Sequence, residues 1–201
     1  MSTRTAARQY WVAIRAMLIF TAVLGVGYTA VVTGIGQFAL NANANGSLAL
    51  VDGEAVGSRL IGQSFTDEEG AALPEWFQTR PSAAGDGYDG AASSGSNYGP
   101  ENDDLIAAIT DRKAAIAELE GVDPAQIPAD ALTASASGLD PHISPEYARL
   151  QVERVAEACD LPAAAVRELV ESKIQAPDAG YLGQPTVNVL ELNIALAELK
   201  G

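Results

Sequence analysis

One stretch of this sequence constrains the fold more than any other. Residues 16–40 read AMLIFTAVLGVGYTAVVTGIGQFAL and contain no charged residue. A helix needs about 20 such residues to cross the hydrocarbon core of a bilayer, so we predict a transmembrane helix over residues 16–40. The rival interpretation is a cleaved secretory signal, for which Ala42 and Ala44 offer a small-residue cleavage site. The apolar part of such signals is only about 7 to 15 residues long, which favours a retained anchor.

Charge is divided unequally on the two sides of this segment. Three arginines and no acidic residue precede it, whereas all 26 acidic residues lie at or beyond Asp52. The positive-inside rule therefore predicts that residues 1–15 are cytoplasmic and that residues 41–201 form a soluble extracytoplasmic domain. We expect a single-pass protein of the plasma membrane, with its main domain outside.

Composition excludes several classes of function. The net charge is -14 and the chain has only three lysines, which argues against a nucleic-acid-binding surface. The chain also has one cysteine and one histidine. These counts exclude an internal disulfide and the common structural zinc sites.

Small residues recur along one face of the predicted helix, at Ala22, Gly25, Thr29, Thr33 and Gly36. In lipid, such a face lets the backbones of two helices approach closely. We therefore expect a partner helix to contact Gly25 and Gly36. The alternative is that glycine and alanine are simply frequent in membrane helices.

The remaining sequence predicts a hairpin followed by helices. Residues 46–65 alternate around an Asp52-Gly53 turn signal, as a β-hairpin does. Residues 66–100 are too rich in glycine for a continuous helix or strand. Helical periodicity and capping residues then predict four helices, over 103–120, from Pro145 to about Ala158, over 162–174, and from Asn188 to about Leu199. The fold class is thus a transmembrane helix followed by a small α+β (α/β-like) domain.

Two loop motifs offer polar side chains to a partner. The segment GDGYDGAASSGSNYGP, residues 85–100, lacks the Gly-Lys-Ser/Thr of a phosphate-binding P-loop and does not fit G-x-G-x-x-G. We expect it to present Asn97 and Tyr98 to a partner instead. Arg80, in the preceding RPSA motif, is expected to bind backbone carbonyls or an acidic partner.

The segment TASASGLDPHISP, residues 133–145, contains the only histidine, His142, close to Asp140. A Ser/His/Asp hydrolase is one interpretation, with three candidate nucleophiles: Ser135, Ser137 and Ser144. It is weak, because triads are assembled by geometry and the chain has no G-x-S-x-G motif. The other interpretation is structural: Asp140 binds nearby amides, Ser144 caps a helix, and His142 packs or lies at an interface.

Six motifs taken together resemble one known family. In chain order they are GSRLIGQSF, RPSA, YDGAASSGSNYGP, TASASGLDPHISP, QVERVAEA and LGQPTVNVLELNIAL. This order closely resembles the C subunit of the Kdp potassium-transporting ATPase, over nearly the whole chain.

The resemblance implies a non-catalytic subunit of a high-affinity potassium pump. Its partners would be a channel-like A subunit, a P-type ATPase B subunit and a small F subunit. The family is described as a catalytic chaperone that raises the affinity of the B subunit for ATP, with no firmly bound cofactor. Gln151, the glutamine of QVERVA, would then be a nucleotide contact in a transient complex. The predicted topology conflicts with that role, because it places Gln151 outside the cell, away from ATP. We expect a structural role near the external mouth of the A subunit.

Overall fold

The computed structural model describes residues 3–201, with side chains from Ala6 onward. Residues 1 and 2 of the predicted cytoplasmic segment lie outside the described residues. The chain divides after Ser47 into two compact units.

The N-terminal unit is dominated by one continuous helix. It comprises α1 (Thr3–Phe20), a π-helical stretch (Thr21–Tyr28) and α2 (Thr29–Ala39). The helical segment Ala6–Ala39 contains an 18-residue stretch with a mean hydropathy of 2.0, and that stretch is not buried within the protein. Its length and composition are compatible with a single-pass membrane protein, and it contains nearly all of the predicted span.

The π-helical stretch was not expected from the sequence. In a π-helix each hydrogen bond spans five residues rather than four, so a turn holds about one residue more. Thr29, Thr33 and Gly36 keep the α-helical spacing of the predicted small-residue face. Ala22 and Gly25 lie within the π-helical stretch, so the face does not continue through them at α-helical spacing.

The long helix ends at a group of amide side chains. Leu40 leaves helical geometry, with φ -133° and ψ 41°, and the short helix α3 (Asn41–Ala44) follows. Gln37 Oε1 accepts hydrogen bonds from Asn41 Nδ2 at 3.2 Å and from Asn45 Nδ2 at 3.1 Å. Asn45 Nδ2 also donates to the Asn41 carbonyl at 2.8 Å. These amides satisfy polar groups where the apolar helix stops.

The second unit begins with the predicted β-hairpin. Strands β1 (Leu48–Val51) and β2 (Glu54–Ser58) pair antiparallel, with a bulge between Ala49 and Leu50. Asp52 and Gly53 both have positive φ, 53° and 85°, as a two-residue hairpin turn requires. The hairpin is confirmed, although its strands are shorter than the predicted segment.

Helices and short strands make up the rest of the second unit. The elements in chain order are α4 (Asp103–Glu120), a 3-10 turn (Pro124–Gln126), α5 (Ala129–Leu132), β3 (His142–Ile143), α6 (Pro145–Leu150), α7 (Val152–Ala158), α8 (Ala163–Ser172), β4 (Ile174–Gln175), β5 (Thr186–Asn188) and α9 (Val189–Lys200). Three of the predicted caps are present. Asn102 Oδ1 accepts from Asp104 N, Ser144 Oγ from Tyr147 N, and Asn188 Oδ1 from Glu191 N.

A three-stranded antiparallel sheet in the order β3-β5-β4 was not predicted. Its strands have only two or three residues, too few for a periodicity to be seen in the sequence. His142 lies in β3, opposite Asn188 of β5, rather than in a loop. The hairpin, the sheet and the helices confirm an α+β domain.

The core of the second unit lies among helices α6–α9 and the sheet. Its members are side chains with little or no exposure, and they include Ile143, Val152, Val155, Val166, Val170, Val187, Leu192 and Leu196. Residues 66–100 have no regular element, yet Phe77 from that segment is fully buried in the same core. The long segment is therefore anchored to the core near its middle.

Candidate functional site

Two buried amide side chains bind the backbone of the irregular segment. Asn193 Oδ1 accepts the Phe77 N–H at 2.9 Å, and Asn193 Nδ2 donates to the Phe77 carbonyl at 3.0 Å. Gln151 makes the same pair of bonds to Gln78, at 2.6 and 3.1 Å. We call Gln151 and Asn193 the amide pair. Because unpaired buried backbone groups are costly, the amide pair is what allows this segment to enter the core.

Arg154 joins the amide pair to a buried acidic residue. Its Nη2 donates to Gln151 Oε1 at 2.8 Å, and its Nη1 donates to the Trp76 carbonyl at 3.0 Å. Its Nε lies 3.0 Å from both carboxylate oxygens of Glu120, whose side chain is fully buried. Burial raises the pKa of Glu120, and the positive charge of Arg154 offsets only part of that rise. The side chains of Glu120, Arg154 and Gln151 thus form one connected polar network in the interior.

Gln151, the predicted nucleotide contact, is 0% exposed. Its oxygen accepts from Gln78 and Arg154, and its nitrogen donates to Gln78. A ligand could reach this amide only after the segment around Gln78 had moved. In this conformation Gln151 connects a helix to an irregular segment.

The predicted interface residues Arg80, Asp140 and His142 lie together. Arg80 Nη1 donates to Asp140 Oδ2 at 3.0 Å, and its Nη2 donates to the Thr133 carbonyl at 3.4 Å. His142 N donates to Asp140 Oδ1 at 3.0 Å, and His142 Nδ1 lies 3.4 Å from the same oxygen. Both partners that the sequence suggested for Arg80, a carbonyl and a carboxylate, are found within its own chain.

Electrostatics around Asp140 favour its charged form. Partial burial acts to raise the pKa of Asp140, but the hydrogen bonds from His142 and the charge of Arg80 outweigh it and lower the pKa below its ordinary value. The Arg80 Nε atom is buried and has no hydrogen-bond partner among the described residues. The guanidinium is therefore held through its two Nη atoms and not through Nε.

Two of the three candidate serines near His142, Ser137 and Ser144, have hydroxyl groups bonded to other residues. Ser144 Oγ donates to Asp130 Oδ1 at 2.9 Å and accepts from Tyr147 N, while Ser137 Oγ accepts from Leu139 N. Within residues 3–201 no hydrogen bond joins His142 to a serine hydroxyl. The arrangement therefore gives the hydrolase interpretation no support.

The glycine-rich loop and the RPSA motif before it both bind the His142 segment. Ser82 Oγ donates to the Gly138 carbonyl at 2.6 Å, and Ser94 N donates to the Ser137 carbonyl at 2.9 Å. Gly138 has φ +69°, and a Cβ there would lie 2.6 Å from the Ser94 carbonyl oxygen and 2.7 Å from Ala84 N. Only glycine fits, because the two loops touch at this point.

Asn97 and Tyr98 lie at the exposed end of this loop. Asn97 has φ 54°, and its Nδ2 donates to the Gly95 carbonyl at 2.9 Å. Tyr98 is 45% exposed. Both side chains are exposed to solvent, and no hydrogen bond in the described chain joins them to Arg80 or Asp140.

Two features of the site region were missed from the sequence. The amide pair joins residues 73 and 116 positions apart, a separation over which a local pattern carries no signal. The Glu120–Arg154 ion pair spans 34 positions. In the described part of the chain, no group of three or more His, Cys, Asp or Glu side chains is placed to hold a metal ion.

Comparisons with known proteins agree on one family. The family model described as "K+-transporting ATPase, c chain" matches residues 10–198. A relative from Kineococcus radiotolerans is 51% identical over 189 residues, which cover 94% of this chain and 93% of the relative. Relatives from Caulobacter vibrioides and Mycobacterium tuberculosis are 53% and 45% identical, covering 92% and 96% of this chain and 90% and 99% of their own lengths. All three are named "Potassium-transporting ATPase KdpC subunit".

Proposed function

This chain belongs to the KdpC family of potassium-transporting ATPase subunits, and we propose that it is a non-catalytic, membrane-anchored subunit of that complex. The observation that carries the proposal is the extent of the match, which runs from residue 10 to residue 198 and so includes both the apolar helix and the α+β unit. The resemblance drawn from the sequence motifs is thereby confirmed. The accessory role in potassium transport follows from family membership.

The absence of a catalytic role is supported by how the polar residues are used. Asp140 binds Arg80 and the His142 amide, and Ser144 caps helix α6 and binds Asp130. Asp140 and Ser144, two of the side chains that resembled catalytic groups, thus stabilise the local structure around them. Hydrolysis of ATP and conduction of potassium then belong to other subunits of the complex.

The partners of this proposal are the channel-like A subunit, the ATPase B subunit and the small F subunit. The apolar helix would pack against membrane helices of these partners at Gly36 in α2 and at Gly25 in the π-helical stretch, two small residues that are not in α-helical register with each other. The +3 charge before Asp52 and the -17 charge from Asp52 onward favour a cytoplasmic N-terminus and an external domain.

An influence on ATP would then act through assembly. Gln151 is buried and bonded on both sides of its amide, which disfavours direct contact with a nucleotide in the folded domain. We expect the chain to change the affinity of the B subunit for ATP only by stabilising the conformation of the complex. Transient contact with ATP would require the Gln78 segment to open.

Growth at low potassium tests the proposal directly. In a host that depends on this transport complex and lacks its C subunit, the chain should restore growth at micromolar potassium and co-purify with the other subunits. Failure of both would overturn the proposal. His142→Ala separates a structural role from catalysis, because loss of a triad histidine costs a thousandfold or more in rate. The complex carrying this variant should keep its ATPase rate within a few-fold.

A further inference from the structure

An apolar groove of about 590 Å³ lies between the β-hairpin and helix α9. Leu50 and Val56 form one wall, Ile194 and Ala197 of α9 form another, and Trp76 contributes an aromatic surface. Leu50 is 60% exposed and Val56 is 40% exposed. These side chains remain largely in water although they line a concave surface, an arrangement that is typical of interaction sites.

Trp76 is held in place within the groove but is not enclosed. Its ring centroid lies 6.2 Å from that of Phe65, and the Lys200 ammonium lies 5.3 Å from its centroid. The backbone around Trp76 is fixed, because Arg154 binds its carbonyl and the next residue, Phe77, is bound by Asn193. A half-buried tryptophan on a fixed backbone is the kind of residue that dominates binding energy at protein interfaces.

The hairpin next to the groove has an open edge. Strand β1 pairs only with β2 in the described chain, so the outward N–H and C=O groups of β1 have no strand partner. The outer edge of β2 differs, because Gln63 Nε2 donates to the Val56 carbonyl at 2.8 Å. An unpaired edge beside an apolar groove suits an extended segment, which bonds through its main chain and places alternate side chains in the groove.

The charged residues around the groove indicate which charge such a segment carries. Asp52 and Glu198 line the groove and Glu54 is exposed beside the hairpin turn, so these acidic groups outnumber the Lys200 ammonium that lies over Trp76. The hairpin, residues 48–58, contains two acidic residues and no basic one. A basic residue in the occupant would complement this rim, whereas a second copy of the hairpin or an anionic lipid surface would be repelled by it.

The position of the hairpin in the chain limits where its partner can be anchored. Only residues 45–47 separate helix α3 from β1 in the sequence, and α3 directly follows the apolar helix. A protein held in the same membrane is therefore within reach of β1.

From these observations we propose that the groove binds an extended apolar segment with a basic residue, contributed by another subunit of the same transport complex. This inference rests on the proposed function. The occupant adds as a strand to the open edge of β1, its apolar side chains contact Leu50, Val56 and Trp76, and its basic residue faces Asp52 and Glu198.

Site-specific photo-crosslinking in the assembled complex tests the occupant. A photoreactive phenylalanine analogue at Leu50 should give a covalent product with a larger membrane subunit. The same analogue at Leu182, which is 55% exposed but does not line the groove, should give at least about fivefold less of that product. A product with a second copy of this chain, with lipid alone, or with no subunit would overturn the proposal.

Charge substitution tests the same surface independently. Leu50→Glu should lower recovery of the chain with the complex about tenfold in stringent washes, because it places a charge in the apolar wall. Leu182→Glu is the matched control and should leave recovery unchanged. Asp52→Lys combined with Glu198→Lys should also lower recovery, and full recovery of both groove variants would overturn the groove as a binding site. If the wild-type chain itself fails to assemble, the proposed function fails, whereas normal assembly of the groove variants removes only this inference.

Discussion

Gln151 satisfies both main-chain groups of Gln78: its Oε1 accepts the Gln78 N–H at 2.6 Å and its Nε2 donates to the Gln78 carbonyl at 3.1 Å. Asn193 does the same for the preceding residue, Phe77. Two side chains therefore supply the hydrogen bonds that a neighbouring strand would supply in a sheet. This relationship gives the glutamine of the QVERVA motif a role within the folded domain.

Gln151→Ala should destabilise the domain strongly. It leaves the N–H and the carbonyl of Gln78 without partners in the core and removes one acceptor from Arg154, at a cost of about 2–4 kcal/mol. Urea unfolding of the detergent-solubilised full chain, followed by tryptophan fluorescence, measures this loss. Gln184→Ala, at an exposed glutamine, is the control and should stay within about 0.5 kcal/mol. Unchanged stability with a weakened ATP affinity of the B subunit would instead favour the nucleotide contact.

Gly138→Ala should separate the two loops that meet at this residue. Both a positive φ and a Cβ only 2.6 Å from the Ser94 carbonyl oppose alanine there. Gly180→Ala provides the comparison, because Gly180 has φ +82° but no atom within 4 Å of the added Cβ. We expect Gly180→Ala to cost about 1 kcal/mol through backbone strain and Gly138→Ala clearly more. Limited proteolysis within residues 85–100 should accelerate only for Gly138→Ala, and equal rates for the two variants would contradict the loop contact.

Asp140 should contribute an acid-sensitive part of the stability. Its pKa in the folded protein lies below the ordinary value of 3.8, so the folded state holds this proton less tightly than the unfolded state. The stabilisation is present above pH 3.8 and is lost as the pH falls through the lower, folded pKa. Asp140→Asn should lower the unfolding free energy at pH 7 by about 1.5 kcal/mol. This value is the lower end of the range for the contribution of a hydrogen bond to a charged group. It should also flatten the pH dependence below about pH 4, and an equally steep acid limb in the variant would refute this assignment.

The small-residue face of the apolar helix should matter for assembly. Gly25→Leu combined with Gly36→Leu places bulk where a partner helix would approach, so co-purification with the other subunits should fall severalfold. Gly34→Leu is the control, since a Cβ at Gly34 meets nothing within 4 Å and Gly34 is not part of the predicted face, whereas a Cβ at Gly36 would lie 3.4 Å from the Ala44 Cβ. If the Gly25→Leu, Gly36→Leu double variant assembles as normally as the Gly34→Leu control, the partner helix packs elsewhere.

Sidedness can be measured with single cysteines. Cys159→Ser removes the natural thiol, and Ser96→Cys places a new one on an exposed part of the glycine-rich loop. A membrane-impermeant maleimide should label this variant in intact cells. Gln9→Cys, in the predicted cytoplasmic segment, should be labelled only after lysis. The reverse pattern would place the domain in the cytoplasm and make a direct effect on ATP plausible again.

Local signals in the sequence predicted local structure well. Helix α4 was found over Asp103–Glu120, because Asn102 caps it and Gly121 with φ 65° ends it, as its sequence indicates. The hairpin turn at Asp52-Gly53 was also predicted correctly from the sequence. The helix predicted from Pro145 to about Ala158 is found as two helices, α6 and α7, which meet at Gln151. The Gln151 side chain is not exposed to solvent there, because it accepts a hydrogen bond from the Gln78 N–H in the interior.

What the sequence did not reveal depends on distant residues. The β3-β5-β4 sheet joins three strands of two or three residues each, and no periodicity can be seen in so few positions. The segment 66–100 was predicted to be an irregular loop, which it is. Its fixed path, however, follows from contacts with Gln151, Asn193 and residues 134–139, all of them far along the chain.

The 116-residue separation between Phe77 and Asn193 has a consequence for how the protein is made. Asn193 lies in the last helix, so a chain still emerging from the ribosome has not yet released the group that pairs with Phe77. Domains generally fold as units, and bringing distant segments together is entropically slow. The apolar helix is therefore synthesised well before the domain can close. We therefore expect the segment around Phe77 to stay open to proteases and to premature association until α9 docks.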